Sequence, residues 1–589
     1  MDKNTVLRWA IIAIGAILIW QWGLPALTGK SHHAAQPGFA ENYVNAPDFV
    51  GDVIDPPAMP SDPNQAPVPN NPPTGDLCTI KGNRFEATLS SRGAGITHYF
   101  LTDPQYHGSE ARDLSTTPDI ERWRSLRTLF RGPEGTGAND QVKYDRFNWQ
   151  LEPAAQGGEN KGCKFTYADD GVKIVKTVNA GTRPFELEVE TTVTNLADTK
   201  KSHRFAIQTF AFRRNKEVKG NLGRVSPFMT DLECAGGNKV ERKNRDDFKE
   251  GPFRESVDRY AAIANTYFAQ ALVPSTPATC EILAEDWYSM GQNRDDDDAA
   301  AVYHANLNYA AKELGPGESA TYKVVAFGGP KERDVLAHAA GGNKGLGDLI
   351  NLGFFSIVAK VLVDVLLFFR NKVTGNWGLA IIVMTLCLRL LLFPLTWKSI
   401  KSSLAMRRLK PEVDALNEKF AGDPQAKNMA MMELWKKNGV NPFGGCLPQL
   451  VQMPIWFAMY TTLQTAVEMY HTRFLWFTDL SAPDKVFVLP IVLGAFMIVQ
   501  QKIVPQQGMD PMQQKMMTYL LPGVFTVMML FLPAALGVYM LTNSVLGIGQ
   551  QLLIEQIAPK STPKGKSDIE VREASKETGS NLRKGKARV

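Results

Sequence analysis

The 589 residues exceed the usual domain length of about 150 several-fold, so more than one folding unit is expected. A net charge of +5 argues against a nucleic-acid-binding body. A mean hydropathy of −0.19 with 21% charged residues suggests a soluble protein, but the average conceals a split, because apolar residues concentrate at the N-terminus and after about Leu349.

The first apolar run, Val6 to Leu27, carries Lys3 and Arg8 at its start and can cross a hydrocarbon core, which needs about 20 residues. It is either an anchor or a signal peptide. Its long core and the absence of an A-x-A-like exit in Leu24-Pro25-Ala26-Leu27-Thr28-Gly29 favour an uncleaved anchor over 1–29. Residues 30–75 are rich in Pro, Asn, Asp and Ala and predict a disordered tether.

Over 76–335, short alternating runs such as Val172, Ile174 and Phe185, Leu187, Val189 are separated by Gly, Pro, Asn and Asp turns, which predicts an all-β sandwich. Cys78, Cys163, Cys234 and Cys280 lie in this region, and disulfides and free buried thiols are both open. His98, His203 and His304 are far apart in sequence and read as surface or satisfied polar residues. No cysteine or histidine spacing suggests a metal, and no cofactor is expected.

Residues 345–371 follow. Ser356, Lys360 and Asp364 recur every four residues, placing three polar side chains on one helical face, as in a helix lying at a membrane interface. Five further stretches can span: Trp377 to Leu395, Leu447 to Val467, Val486 to Ile503, Met516 to Leu532 and Leu536 to Ile554. Basic residues near span ends favour the cytoplasm. The loop Thr396 to Pro442 has nine Lys or Arg against five Asp or Glu, and Pro559 to Val589 has nine against four. With the anchor and these five spans, both basic segments and both termini face inward.

Within the loop at 396–442, Pro411 opens a helix with Val413, Leu416 and Phe420 on its apolar face. After the break at Gly422-Asp423-Pro424, Met429, Met432 and Trp435 continue the helical spacing to Gly439. A helical hairpin results, either a plain connector or a partner-binding element. The basic tail, 557–589, is expected to be disordered and to stay solvated or lie near anionic lipid or ribosomal RNA.

Arg389 carries the most physical information. It lies 12 residues after Trp377 and eight before Trp397, so its backbone sits about 12 Å inside the cytoplasmic aromatic boundary at 1.5 Å per residue. An arginine at mid-membrane costs about 2.5–3.5 kcal/mol on insertion scales. No Asp or Glu in the central part of any span compensates it, and Glu468 lies at an outer end. Arg389 either snorkels or faces a hydrated groove that Thr385, Gln452, Thr461, Gln500, Thr518 and Asn543 would line.

Recognisable motifs recur along 350–555: Gly375-Asn376-Trp377-Gly378, Arg389, Pro394-Leu395-Thr396, Asn441-Pro442-Phe443-Gly444-Gly445-Cys446-Leu447-Pro448, Gln452-Met453-Pro454, Asp510-Pro511-Met512-Gln513-Gln514-Lys515 and Pro522. In this order and spacing they resemble the YidC/Oxa/Alb family of membrane protein insertases, in its Gram-negative form. The resemblance implies an inner-membrane protein with a periplasmic, supersandwich-like domain and a five-helix core over 372–556. It implies Arg389 as the groove arginine and a client-contacting slide at Thr385, Trp456, Met528 and Met540. Methionine stands at two slide positions where the family usually has aromatics, and Tyr539 is a candidate substitute. The implied partners are nascent membrane-protein clients, the lipid bilayer and the Sec translocon, with the ribosome or the signal recognition particle receptor meeting the hairpin and tail. The implied activity is transfer of client segments, with no covalent chemistry. A secondary transporter and a structural anchor for the sandwich are the competing classes.

Overall fold

Period-two alternation over the polar half of the chain leaves one apolar face per strand, which must find another sheet to cover it. The computed structural model describes residues 75–106, 112–118, 121–131, 141–143, 147–156, 159–219, 226–249, 251–288, 293–420, 422–440, 447–503 and 511–557. The expected anchor at 1–29, all but the last residue of the linker and all but the first residue of the tail lie outside them. Among the described residues, one compact unit holds 75–353 and 461–483, and the other holds 354–460 and 484–557.

In the first unit, β1 (Leu77–Gly82), β2 (Phe85–Ser90), β3 (Gly95–Leu101) and β4 (Arg112–Asp113) form one sheet in sequence order. The strands that follow are β5 (Arg127–Arg131), β6 (Gln141–Lys143), β7 (Gln150–Gln156), β8 (Glu159–Ala168), β9 (Val172–Ala180), β10 (Glu186–Asn195), β11 (Lys201–Arg214), β12 (Asp231–Gly236) and β13 (Lys239–Lys243). β14 (Phe253–Val257), β15 (Tyr260–Ala264), β16 (Phe268–Pro274), β17 (Ala278–Trp287), β18 (Ala300–Asn308), β19 (Lys312–Leu314) and β20 (Ser319–Pro330) complete them. The largest sheet runs β13-β12-β15-β16-β20-β10-β9-β8-β7, and a third runs β14-β17-β18-β11-β5-β6 with β19 on β11. The predicted alternation holds: Ile174 faces Val193 and Val178 faces Val189 across β9 and β10, all buried.

Cys78 on β1 is bonded to Cys163 on β8, and Cys234 on β12 to Cys280 on β17, so each disulfide joins two different sheets. The bridges close sequence separations of 85 and 46 residues. The chain-entropy model assigns each about 4–5 kcal/mol at most. His98 bonds Asp113 at 2.8 Å and His203 bonds the Tyr322 hydroxyl at 2.9 Å, while His304 is buried edge-on to Phe210. These are packing roles.

Lys176, fully buried on β9, donates to the carbonyls of Ala94 at 2.7 Å and Leu126 at 2.5 Å. Both acceptor residues have positive φ, 51° and 65°, so the ammonium pins two turns in a conformation that L residues rarely adopt. Burial pushes the Lys176 ammonium down to about 7.

Two segments outside the strands belong to this unit. Residues 345–350, expected to begin the interfacial helix, are held by the sandwich instead: Arg259 donates to the Gly345 carbonyl at 2.7 Å and to Asp348 at 2.5 Å, and buried Lys331 donates to the Leu349 carbonyl at 2.9 Å. Residues 461–483 are the second. Gln105 donates to the Glu468 and Tyr470 carbonyls at 3.0 and 3.2 Å, Arg112 to the Tyr470 hydroxyl at 2.6 Å, and Arg333 pairs with Glu468 at 3.1 Å. The Tyr470 ring packs on Tyr267 and Phe268, and Val467 joins the sandwich core.

The second unit is helical: α1 (Ser356–Phe369), α2 (Trp377–Leu391), α3 (Phe393–Arg408), α4 (Lys410–Lys419), α5 (Pro424–Lys437), α6 (Leu447–Thr465, whose last residues enter the first unit), α7 (Val488–Ile503), α8 (Pro511–Lys515), α9 (Leu521–Met529) and α10 (Ala534–Ile557). Among the described residues, no single helix is long and apolar enough to cross a membrane, and the α1–α2 pair, which passes jointly, is bent by 116°. One expected span ends early ahead of a proline, and another changes its helical winding ahead of one. Pro394 has no N–H to return to Leu390, and the helix expected to reach Leu395 ends at Leu391. Pro522 likewise offers nothing to Thr518, and the stretch Met516–Leu520 is a π-helix ahead of α9. Along α1, Lys360 and Asp364 are exposed as expected, but Ile357, Val361 and Phe368 are exposed beside them.

Two outcomes follow for the sandwich. Replacing either cysteine pair with serine should lower the thermal midpoint of the sandwich transition by about 10 °C in calorimetry. An unchanged midpoint would mean that the pair is not formed. Because folded Lys176 titrates below the roughly 10.4 of a free lysine, the unfolded chain binds more protons between pH 7 and 10, so stability rises with pH over that window. The midpoint difference between wild type and Lys176→Met should grow in favour of wild type from pH 7 to pH 10; a flat difference would contradict the assignment.

Candidate functional site

α2 starts at a capped end. The Asn376 side chain accepts from the Leu379 N–H at 3.2 Å, and Gly375 before it has φ 65°. The apolar run that follows packs on α10 and on α1, with Trp377, Ala380, Ile381 and Met384 on its buried face. Arg389 lies in the last turn, where backbone carbonyls lack partners within the helix.

The partly buried guanidinium meets oxygen atoms of α10. Its Nε donates to Asn543 Oδ1 at 2.7 Å, one terminal nitrogen to the Asn543 backbone carbonyl at 2.7 Å, and the other to Gln550 Oε1 at 3.2 Å. Gln550 Nε2 returns a bond to the Arg389 carbonyl at 3.3 Å. Every partner in this set is neutral. The acid on α10, Glu555, is engaged elsewhere, with Arg407 at 3.1 Å and Gln551 at 2.8 Å. Between Asn543 and Gln550 lies Gly547, where a Cβ would sit 3.0 Å from the guanidinium.

Among the expected groove residues, the structure brings Arg389 and Asn543 together. Gln452, on α6, donates to the Tyr539 hydroxyl at 3.1 Å. Thr385 is buried and bonds back to the Ile381 carbonyl at 2.6 Å. Gln500 on α7 and Thr518 in the π-helical stretch are partly exposed, whereas Thr461 falls in the sandwich unit and its carbonyl accepts from Thr465. Of the slide positions, Trp456, Met528 and Met540 are partly exposed, and Trp456 stacks on Tyr460 with ring centroids 5.9 Å apart. Tyr539 is buried. Asn441 to Cys446 and Asp510 lie outside the described residues.

α4 and α5 form the expected hairpin, with Asp423 capping α5 through bonds of 3.0 Å to the Gln425 and Ala426 N–H groups. Val413 is buried and Leu416, Phe420 and Trp435 partly so. Met432 is 67% exposed and Met429 63%, while Met431 is buried, so the second helix turns a different face inward than its spacing suggested.

Gln550 and Gly547 were not expected from the sequence. With Asn543 they stand at i, i+4 and i+7, one face of a helix, which is the signal that could have found them.

Residues 368–561 match the model of the 60Kd inner membrane protein family, and residues 77–365 match that of the YidC periplasmic domain. Membrane protein insertase YidC of Anaeromyxobacter dehalogenans is 33% identical over 82% of this chain and 86% of its own, and that of Geobacter sulfurreducens 38% over 68% and 71%. A crystal structure of an active YidC insertase with its first transmembrane domain resolved is 16% identical, covering 83% of this chain and 94% of its own, with a TM-score of 0.35. With relatives aligned along most of its length and both halves matched, the chain belongs to the YidC family of membrane protein insertases.

Proposed function

We propose that the chain moves short hydrophilic client segments across the inner membrane and releases their hydrophobic helices into lipid, through a hydrated groove open to the cytoplasm and built around Arg389. It would act alone or with the Sec translocon, with both termini and the hairpin cytoplasmic, residues 30–345 periplasmic, and the hairpin and tail available to the ribosome or the signal recognition particle receptor.

The observation that carries this reading is a cation held by neutral groups. A guanidinium has five N–H donors, of which three engage Asn543 and Gln550, leaving two for an anionic group. A carboxylate partner within the protein would neutralise the site. A neutral cradle fixes the side chain and keeps its charge, so an acidic residue in a client segment meets an attractive station inside a barrier that otherwise leaves polar groups unsatisfied. Gln500 and Thr518 would add polar contacts along the path. Trp456, Met528 and Met540 would form the apolar side, with the flexible methionines accommodating varied client helices. Burial of the client helix in lipid, at about 25 cal/mol per Å², supplies the main driving force. An acidic residue moving outward gains about 2.3 kcal/mol per 100 mV.

Arg389→Ala, reconstituted in proteoliposomes, should lower insertion of one- and two-span clients with acidic translocated segments by about tenfold, the scale of one charged hydrogen bond. Unchanged insertion of every client in a broad panel would remove the groove charge from the mechanism.

A further inference from the structure

The Arg389 partners divide the work unequally. Asn543 takes two donors of the guanidinium, one through its side chain and one through its backbone carbonyl. Gln550 does something different, because it binds Arg389 at both ends: Oε1 accepts from the guanidinium at 3.2 Å and Nε2 donates to the Arg389 carbonyl at 3.3 Å. That carbonyl is among the last of α2, and Phe393 and Pro394 begin a new helix beyond it. One amide therefore ties the arginine's head to its own backbone. Gly547 supplies the space, since a Cβ there would stand 3.0 Å from one terminal nitrogen and 3.4 Å from the guanidinium carbon.

We propose that Gln550 is a positioning residue for Arg389, with Gly547 as the opening against which the guanidinium lies, and that an uncharged amide is required at 550. This rests on the groove reading given above. Glutamine and glutamate have nearly the same shape but opposite consequences here. Glutamine accepts from the guanidinium and leaves it a full cation, whereas glutamate would form a charge-assisted pair and compete with an acidic client segment for the same donors. Gln550 thereby sets which client segments the site favours, through the charge that Arg389 retains.

The test uses the full-length protein in proteoliposomes and two clients that differ only in whether the translocated flank carries Asp or Asn. The quantity read is the ratio of acidic-flank to neutral-flank insertion, which a general loss of folding does not move. Gln550→Glu should lower that ratio by about tenfold. Gly547→Ala should lower it in the same direction by a smaller factor, as the guanidinium shifts by tenths of an ångström. A ratio equal to wild type in Gln550→Glu, or an equal fall for both clients, would overturn the proposal. Arg389→Ala in parallel separates the two levels of the argument. If Arg389→Ala also leaves the ratio unchanged, the groove reading itself fails; if it lowers the ratio while Gln550→Glu does not, only the role of Gln550 fails.

Discussion

An arginine in an apolar helix has to find oxygen atoms, and in the helical unit Arg389 finds them on α10, with no anion beside it among the described residues. Much of the unit's local order can be read from that requirement. α10 places Asn543, Gly547 and Gln550 on one face toward it, and Glu555, the acid on the same helix, is taken by Arg407 one to two turns further along. Close packing elsewhere depends on small residues. A Cβ on Gly494 of α7 would lie 2.1 Å from the Thr526 hydroxyl of α9, and one on Gly537 of α10 would lie 2.4 Å from Leu489. The helices approach closely because these positions carry no side chain.

The sandwich solves a different problem. It is wide, with three sheets, and two disulfides each tie one sheet to another rather than closing a local loop. Such bonds persist in oxidising compartments, in keeping with the match of this region to a periplasmic domain. Its polar interior is kept by buried lysine amines that donate to backbone carbonyls, Lys176 on two turns and Lys331 on Leu349. The sandwich also holds residues 461–483, which run from the last turn of α6 toward α7, through Gln105, Arg112, Arg333 and a group of aromatic rings around Tyr470.

What was legible in the sequence follows from the range of the interactions involved. Strand alternation is local, so Ile174, Val189 and their neighbours fall where the pattern puts them. Arg389 stands out as a lone cation between Trp377 and Trp397, and Asn543 as a polar residue in an apolar run. The inward bond of Thr385 was not legible, because a threonine in a helix can satisfy itself on the carbonyl four residues back. The burial of Tyr539 was not legible, because helical position alone does not say which face packs inward. The docking of 461–483 on the sandwich was not legible, since Gln105 and Glu468 are 363 residues apart and no local pattern encodes their meeting. Cysteine count left the disulfides open, and only the juxtaposition of strands pairs Cys78 with Cys163 and Cys234 with Cys280.

In the proposed mechanism a client's polar flank and its apolar helix travel on different walls of the helical unit. Site-specific photo-crosslinking to a client stalled midway through insertion measures this directly. A probe at Gln500 should capture the acidic flank, while probes at Trp456 and Met528 should capture the apolar helix. Capture of the apolar helix at all three positions, or of no client at any of them, would contradict the account.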